Sequence, residues 1–439
     1  MLFDRRQFLG ATAGAAATAA LGQNALAQAP GAAFVPTPGK PWNGTELKVL
    51  CVVASQFRAH EARVPQFTEA TGIRVTYTNV PFGNLRETLT AEMVGGARTY
   101  DLAVAMDSWV PSLANLWDPI DERVRAANVD LERYPNAFLH AGRIDGKLLG
   151  LPVRCHVQLM FYRKDLFQQA GMQPPNTWDD VVNAGKAIQE RNPNVSGIAM
   201  YYGKNAGQNL MIWYNFLWGK GVDLFDAQGR PSFNSEGGIA ATRDYIGLLR
   251  EHRVASPGSL TFNEGDATTS FVQGNAAMIP VWWWVISRMT DPNQSRLTRE
   301  QVGFVPLPTY AGAPRSTYTN SWPFGITRGS TKKDAAFEFL RWMTHPSIER
   351  SILLDPRETD VVSVHWSNLR DPEVNQRFNG MHNFAAQTLE RTRVFTYTTQ
   401  TLPMIEVMEN IMSDMATGAK QIPEGLNEMA SRVARIVRR

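Results

Sequence analysis

Residues Val153 to Tyr162 (VRCHVQLMFY) alternate between apolar and polar, and the punctuation on either side confines them to an extended strand. Val153, Cys155, Val157, Leu159 and Phe161 fall on one face, and Arg154, His156, Gln158, Met160 and Tyr162 on the other. That is the period of a half-buried strand. Asp145-Gly146 before it is a tight-turn dipeptide, and Pro152 opens the extended run. After it, a short helix starts near Asp165 and stops at Gly171, and Pro174-Pro175 blocks its continuation. Thr177 then caps a further helix, with Asp180 three residues on in the capping-box position.

The chain begins with an ordered series of signals: DRRQFLG with paired Arg5-Arg6, a weakly apolar Ala/Gly/Thr stretch, then Ala25-Leu26-Ala27. The Arg pair followed by Phe8-Leu9 resembles a twin-arginine export signal, cut after Ala27 at an A-x-A site. The apolar stretch is too short to stay as a spanning helix, and no Cys follows it to take a lipid. A soluble protein of the Gram-negative periplasm is expected. Residues 28–43 are rich in Pro, Gly and Ala and read as a flexible leader. The remainder is too long for one core, so two domains are expected. Charged residues make up 19% with a formal net charge of +3, which implies no nucleic acid or other polyanion as partner. Cys51 and Cys155 both lie in strand-like apolar alternation and read as buried free thiols.

Leu47 to Ala54 (LKVLCVVA) is a nearly continuous apolar run, the mark of a buried strand in a parallel sheet. Helical and strand patterns then alternate through Ile73–Tyr77, Asn84–Met93 and Tyr100–Ala105. This βαβαβ order predicts a doubly wound unit whose strand-end loops face a crevice. DGKLLGLP (145–152), YRKDLF (162–167) and PNTWD (175–179) follow one another as in the inter-lobe crossover of extracellular solute-binding proteins of ABC importers, and the chain is similar to family 1, the maltose-binding-protein type. FTEATGIRV (67–75), YDLAVAMDSW (100–109) and FVQGNAAM (271–278) also match that family. The resemblance implies an α/β fold of two lobes, each a doubly wound mixed sheet flanked by helices, joined by a multi-strand hinge. It places one lobe at 44–153 plus 308–362 and the other at 158–304 plus 365–439. It also implies a monomer that captures a carbohydrate or polyol and delivers it to a membrane permease, with no cofactor.

Enzyme chemistry finds no constellation here. The seven His are scattered, with no H-E-x-x-H, and there is no G-x-S-x-G elbow, no C-x-x-C and no G-x-G-x-x-G after a strand. Carboxylate neighbours such as Asp179-Asp180 or Asp355 and Glu358 are explained by helix caps and solvated surface. A small-solute site instead needs apolar walls and a few aimed polar groups, and sugar C–H faces stack on aromatic rings. Of the 12 Trp, Trp282, Trp283 and Trp284 are consecutive. Strand alternation would set Trp283 opposite to Trp282 and Trp284. By the spacing from Met278, the resemblance implies that Trp284 stacks on the solute; packing in the lobe core is the competing role. It also implies that Asp107, after the third strand, accepts hydrogen bonds from hydroxyls, a role compatible with capping a helix before Trp109. His156 matches a ligand-contacting position of the maltodextrin binders, where this chain lacks their Glu. Gln56 and Asn320 are expected in crevice-facing loops on topology alone. An acidic or phosphorylated solute is the alternative, with Arg154 and Arg58 as its receptors unless they merely cover surface.

Overall fold

The computed structural model describes residues 32–437 apart from 97, 391 and 396, so the expected export signal and cleavage site lie outside the described residues. Seven strands form one mixed sheet: β1 (Glu46–Val52), β2 (Arg74–Val80), β3 (Leu102–Val104), β4 (Leu151–Arg163), β5 (Met278–Trp282), β6 (Val302–Pro306) and β7 (Thr319–Ile326). β1 pairs in parallel with β2 and β3, as the apolar run LKVLCVV requires. β3 then pairs antiparallel with β7, and β7 with β4.

β4 joins the two lobes. Leu151–Val157 hydrogen-bonds along β7, and from Gln158 onward the same strand pairs with β5 and β6 instead. The turn before it is built as its residues demand: Asp145 and Gly146 both take positive φ (50° and 77°), closing a small hairpin between Arg143–Ile144 and Lys147–Leu148. Behind it, the helix Lys164–Ala170 ends on Gly171 at φ 69°. Thr177 and Asp180 form the reciprocal capping box of the helix Trp178–Arg191, with bonds of 3.1 and 2.8 Å. One expectation fails on β4 itself. It is not half-buried: Arg154 and the last two residues apart, it is buried on both faces, so its polar face meets protein rather than water.

Residues 28–43, expected to form a free leader, dock from Phe34 onward. Phe34 packs edge-on against His345, and Thr37 donates to the buried Glu338 through its backbone N (2.7 Å) and its hydroxyl (3.0 Å). Pro and Gly content signals a lack of regular structure, and an irregular segment still docks where it finds partners. The helices Thr401–Thr417 and Ile422–Val437 pack on one another and on the helix Glu236–Arg250. Cys51 and Cys155 are buried free thiols.

Candidate functional site

His156 stands in β4 opposite Asn320 of β7, at the last pairs before β4 changes partners. Its ring centroid is 6.0 Å from Trp282 and 6.2 Å from Trp284. Trp283 donates its indole N–H to the Cys155 carbonyl (3.1 Å) and to His156 Nδ1 (3.3 Å). Nδ1 is therefore an acceptor, and the proton of the neutral ring sits on Nε2. That Nε2 is buried with no protein partner. Burial, helped by the charge of Arg154, holds the imidazole well below its usual pKa, so it stays neutral at physiological pH.

The three tryptophans do not follow strand alternation: Trp282 and Trp283 are both buried, and Trp284 alone is partly covered. β5 ends at Trp282, and Trp283–Val285 is a turn of 3-10 helix, so strand alternation does not extend to Trp284. The tight turn buries Trp283 completely against His382 and leaves Trp284 only partly covered. Trp282 is tied by its indole N–H to Glu264 Oε2 at 2.8 Å. Burial pushes the Glu264 carboxyl up to about 7.

Asp107 and Asn320 form a second cluster. Asp107 opens a 3-10 turn, Asp107–Trp109, with Met106 rather than Asp107 at its N-cap. Its Oδ1 accepts from Ser108 N (2.7 Å) and Asn320 Nδ2 (2.9 Å), and its Oδ2 from Ser321 N (2.7 Å). A carboxylate has about four acceptor sites, and protein donors take three of them here, with the Tyr397 hydroxyl as a further favourable neighbour. Burial nonetheless pushes its pKa up to about 7. Asn320 lies within β7, not in a loop, and its Oδ1 accepts the Trp322 indole N–H at 2.6 Å. Gln56, also expected in a loop, is in the helix Ser55–Glu61 and only 3% exposed. Its Oε1 has no protein partner, and its side chain bonds none of the other candidates.

Aromatic rings run between the clusters. Half-exposed Phe82 stacks on Trp109 (5.4 Å), Trp109 meets Trp322 edge-on (6.1 Å), and Trp282 lies 6.1 Å from Tyr318. Tyr318 and Tyr397 share a hydroxyl contact of 3.2 Å, which links Trp282 back to Asp107. Arg154 bridges from the other side, its guanidinium over the rings of both Trp322 and Trp284. Trp322, Trp109, Tyr318, Tyr397 and Glu264 were not singled out from sequence. Only Trp322 carried a usable signal, standing two residues beyond Asn320 on the same strand face. Among the described residues no group of His, Cys, Asp or Glu is set to hold a metal ion, and no helix is long and apolar enough to cross a membrane.

Residues 54–349 match the model of the bacterial extracellular solute-binding protein family. A probable amino-acid ABC transporter periplasmic-binding protein of Sinorhizobium fredii is 30% identical over 369 residues, which cover 82% of this chain and 80% of that one. An ABC transporter solute-binding protein of Agrobacterium radiobacter, solved with ribitol, superposes with a TM-score of 0.74 at 22% identity. That match covers 90% of this chain and 99% of the other. Maltose-bound MalE3 of T. maritima gives 0.76 at 19% identity, covering 89% and 99%.

Proposed function

The chain belongs to the bacterial extracellular solute-binding proteins, and from that membership we propose that it captures a carbohydrate or polyol between its two lobes and presents it to an ABC transporter permease. The observation that carries this reading is the unmet hydrogen-bonding capacity beside the Trp cluster: buried His156 Nε2 has no protein partner, and Trp284 and Trp282 flank its ring. A polyhydroxylated solute answers both features, its hydroxyls meeting the polar atom and its C–H face the indole. The ribitol and maltose bound by the two structural neighbours support that solute class. Trp284 stacks on the solute, Trp282 and His156 complete the wall, and Gln56 Oε1, in the helix that follows β1, is a further acceptor. Asp107 and Asn320 hold the site in shape.

The lobes run over 44–153 plus 308–362 and over 158–304 plus 365–439, and they rotate about the β4 crossing as hinged binding proteins do. The protein is not an enzyme. It leaves the cytoplasm by the twin-arginine route on the strength of Arg5-Arg6, is cut after Ala27 and acts as a soluble periplasmic monomer without a lipid anchor. The test is a thermal-shift screen of sugars, polyols and sugar acids, followed by calorimetric titration and solution scattering of the hits. A stabilising polyol or sugar that also makes the particle more compact supports the reading. Turnover of the solute, or a panel in which nothing binds, contradicts it.

A further inference from the structure

Arg154 lies on β4 opposite Trp322. Its guanidinium carbon is 5.2 Å from the Trp322 ring centroid and 5.9 Å from that of Trp284. Trp322 belongs to β7 and Trp284 follows β5, so the cation sits where the two lobes meet. Burial lowers its pKa to about 10, which leaves it charged at neutral pH; the opposing charge is that of Asp360, and no hydrogen bond from the described residues answers it. Other sheltered arginines are answered directly: Arg63 by Asp355 at 3.0 Å, Arg163 by Asp165 at 2.6 Å and Arg123 by Asp118 at 3.2 Å. Two indole faces attract a guanidinium but satisfy none of its five N–H donors.

The surrounding charges limit what can answer it. Asp360 accepts from Ser55 Oγ at 2.7 Å, Asp107 is held by three protein donors, and Glu264 holds Trp282. His156 is neutral. One open cation thus faces the site, with Asp360 as the carboxylate that acts on it. A single negative charge balances the guanidinium, whereas a dianion would bring an excess charge that Asp360 repels.

We propose that the solute is a sugar acid, an aldonate or uronate, whose one carboxylate pairs with Arg154 while its hydroxyls meet His156 Nε2 and its C–H face lies on Trp284. This rests on the reading of the inter-lobe crevice as the solute site. The Arg fork matches a carboxylate in two parallel bonds, which gives orientation as well as attraction.

The test is calorimetric titration of the purified protein with D-gluconate against D-glucitol and D-galacturonate against D-galactose. Glycerol 3-phosphate and L-glutamate serve as the dianionic and zwitterionic arms. At least one acid is expected to bind about 100-fold more tightly than its neutral counterpart, the ratio of a charge-assisted bidentate bond. Arg154→Gln should bring that ratio near one without lowering the melting temperature. Arg154→Lys should restore part of it, since an ammonium keeps the charge but not the fork. Should Arg154→Gln not fold, the parent still decides the matter, because the acid's advantage must shrink as salt is raised. The proposal is overturned if the neutral partners bind as well as both acids, if the preference survives Arg154→Gln, or if glycerol 3-phosphate or L-glutamate binds more tightly than either sugar acid. Polyol binding that depends on Trp284 but not on Arg154 would sink only the carboxylate assignment. Failure of every probe to bind would sink the crevice reading with it.

Discussion

Two polar clusters border the same aromatic wall, and they treat their hydrogen bonds in opposite ways. Asp107, Asn320 and Trp322 direct theirs at one another and at nearby backbone, so that three protein donors hold the carboxylate. On the neighbouring strand, His156 leaves its Nε2 unmet in an equally sheltered place, and the partly exposed Arg154 has no carboxylate partner among the described residues. A buried donor without a partner costs roughly 1–3 kcal/mol, and a fold retains such a group only where something else repays it. The first cluster fixes where β3 and β7 stand; the second is the one proposed to receive the solute.

Substitutions should separate the two clusters. The largest effect is expected behind them both: Trp283→Ala removes a fully buried indole and should cost about 3–5 kcal/mol of stability in denaturant unfolding. Asp107→Ala comes next. It strands Ser108 N, Ser321 N and Asn320 Nδ2 at once. It should cost about 2–4 kcal/mol of stability while solute affinity, measured well below the melting temperature, stays within about threefold of the parent. An Asp107→Ala protein of parental stability and abolished binding would break the distinction. Trp284→Ala should do the converse, weakening binding by about 1–3 kcal/mol with a smaller loss of stability.

The smallest effect concerns Glu264, at the edge of the receiving cluster. Burial raises its folded pKa to about 7 from 4.5, so its contribution to stability is full below pH 4.5 and is lost as pH rises through 7. Glu264→Gln keeps an acceptor for Trp282 and removes the titration. It should melt a few degrees above the parent at pH 8, with the gap closing toward pH 4.5. A gap that widens as the pH falls would reverse the sign assigned here.

What the sequence made legible was local. The Asp145-Gly146 turn, the Gly171 stop and the Thr177–Asp180 capping box each depend on residues a few positions apart, and the chain builds all three. The apolar run at Leu47 and the alternation through β4 also mapped directly to strands. The state of Asp107 was not legible, because its partners Asn320 and Ser321 lie 213 and 214 residues away. Nor was the isolation of Arg154, a matter of which carboxylates stay away from it. Alternation reports that one face differs from the other, and β4 shows that the differing face can be closed protein instead of solvent. The leader was misread for a related reason: Phe34 and Thr37 find His345 and Glu338 only once the chain has folded back.

The central claim is that solute is received beside His156 and Trp284 and not by the Asp107 cluster. Its most direct test is calorimetric titration of ribitol and D-gluconate into the parent and into a His156→Ala, Trp284→Ala double variant, with the melting temperature of each recorded alongside. The account predicts that at least one of the two binds the parent, and that the double variant stays folded yet binds it at least about 100-fold more weakly, the sum of an aromatic anchor and a buried donor. A folded double variant that binds with parental affinity would contradict it.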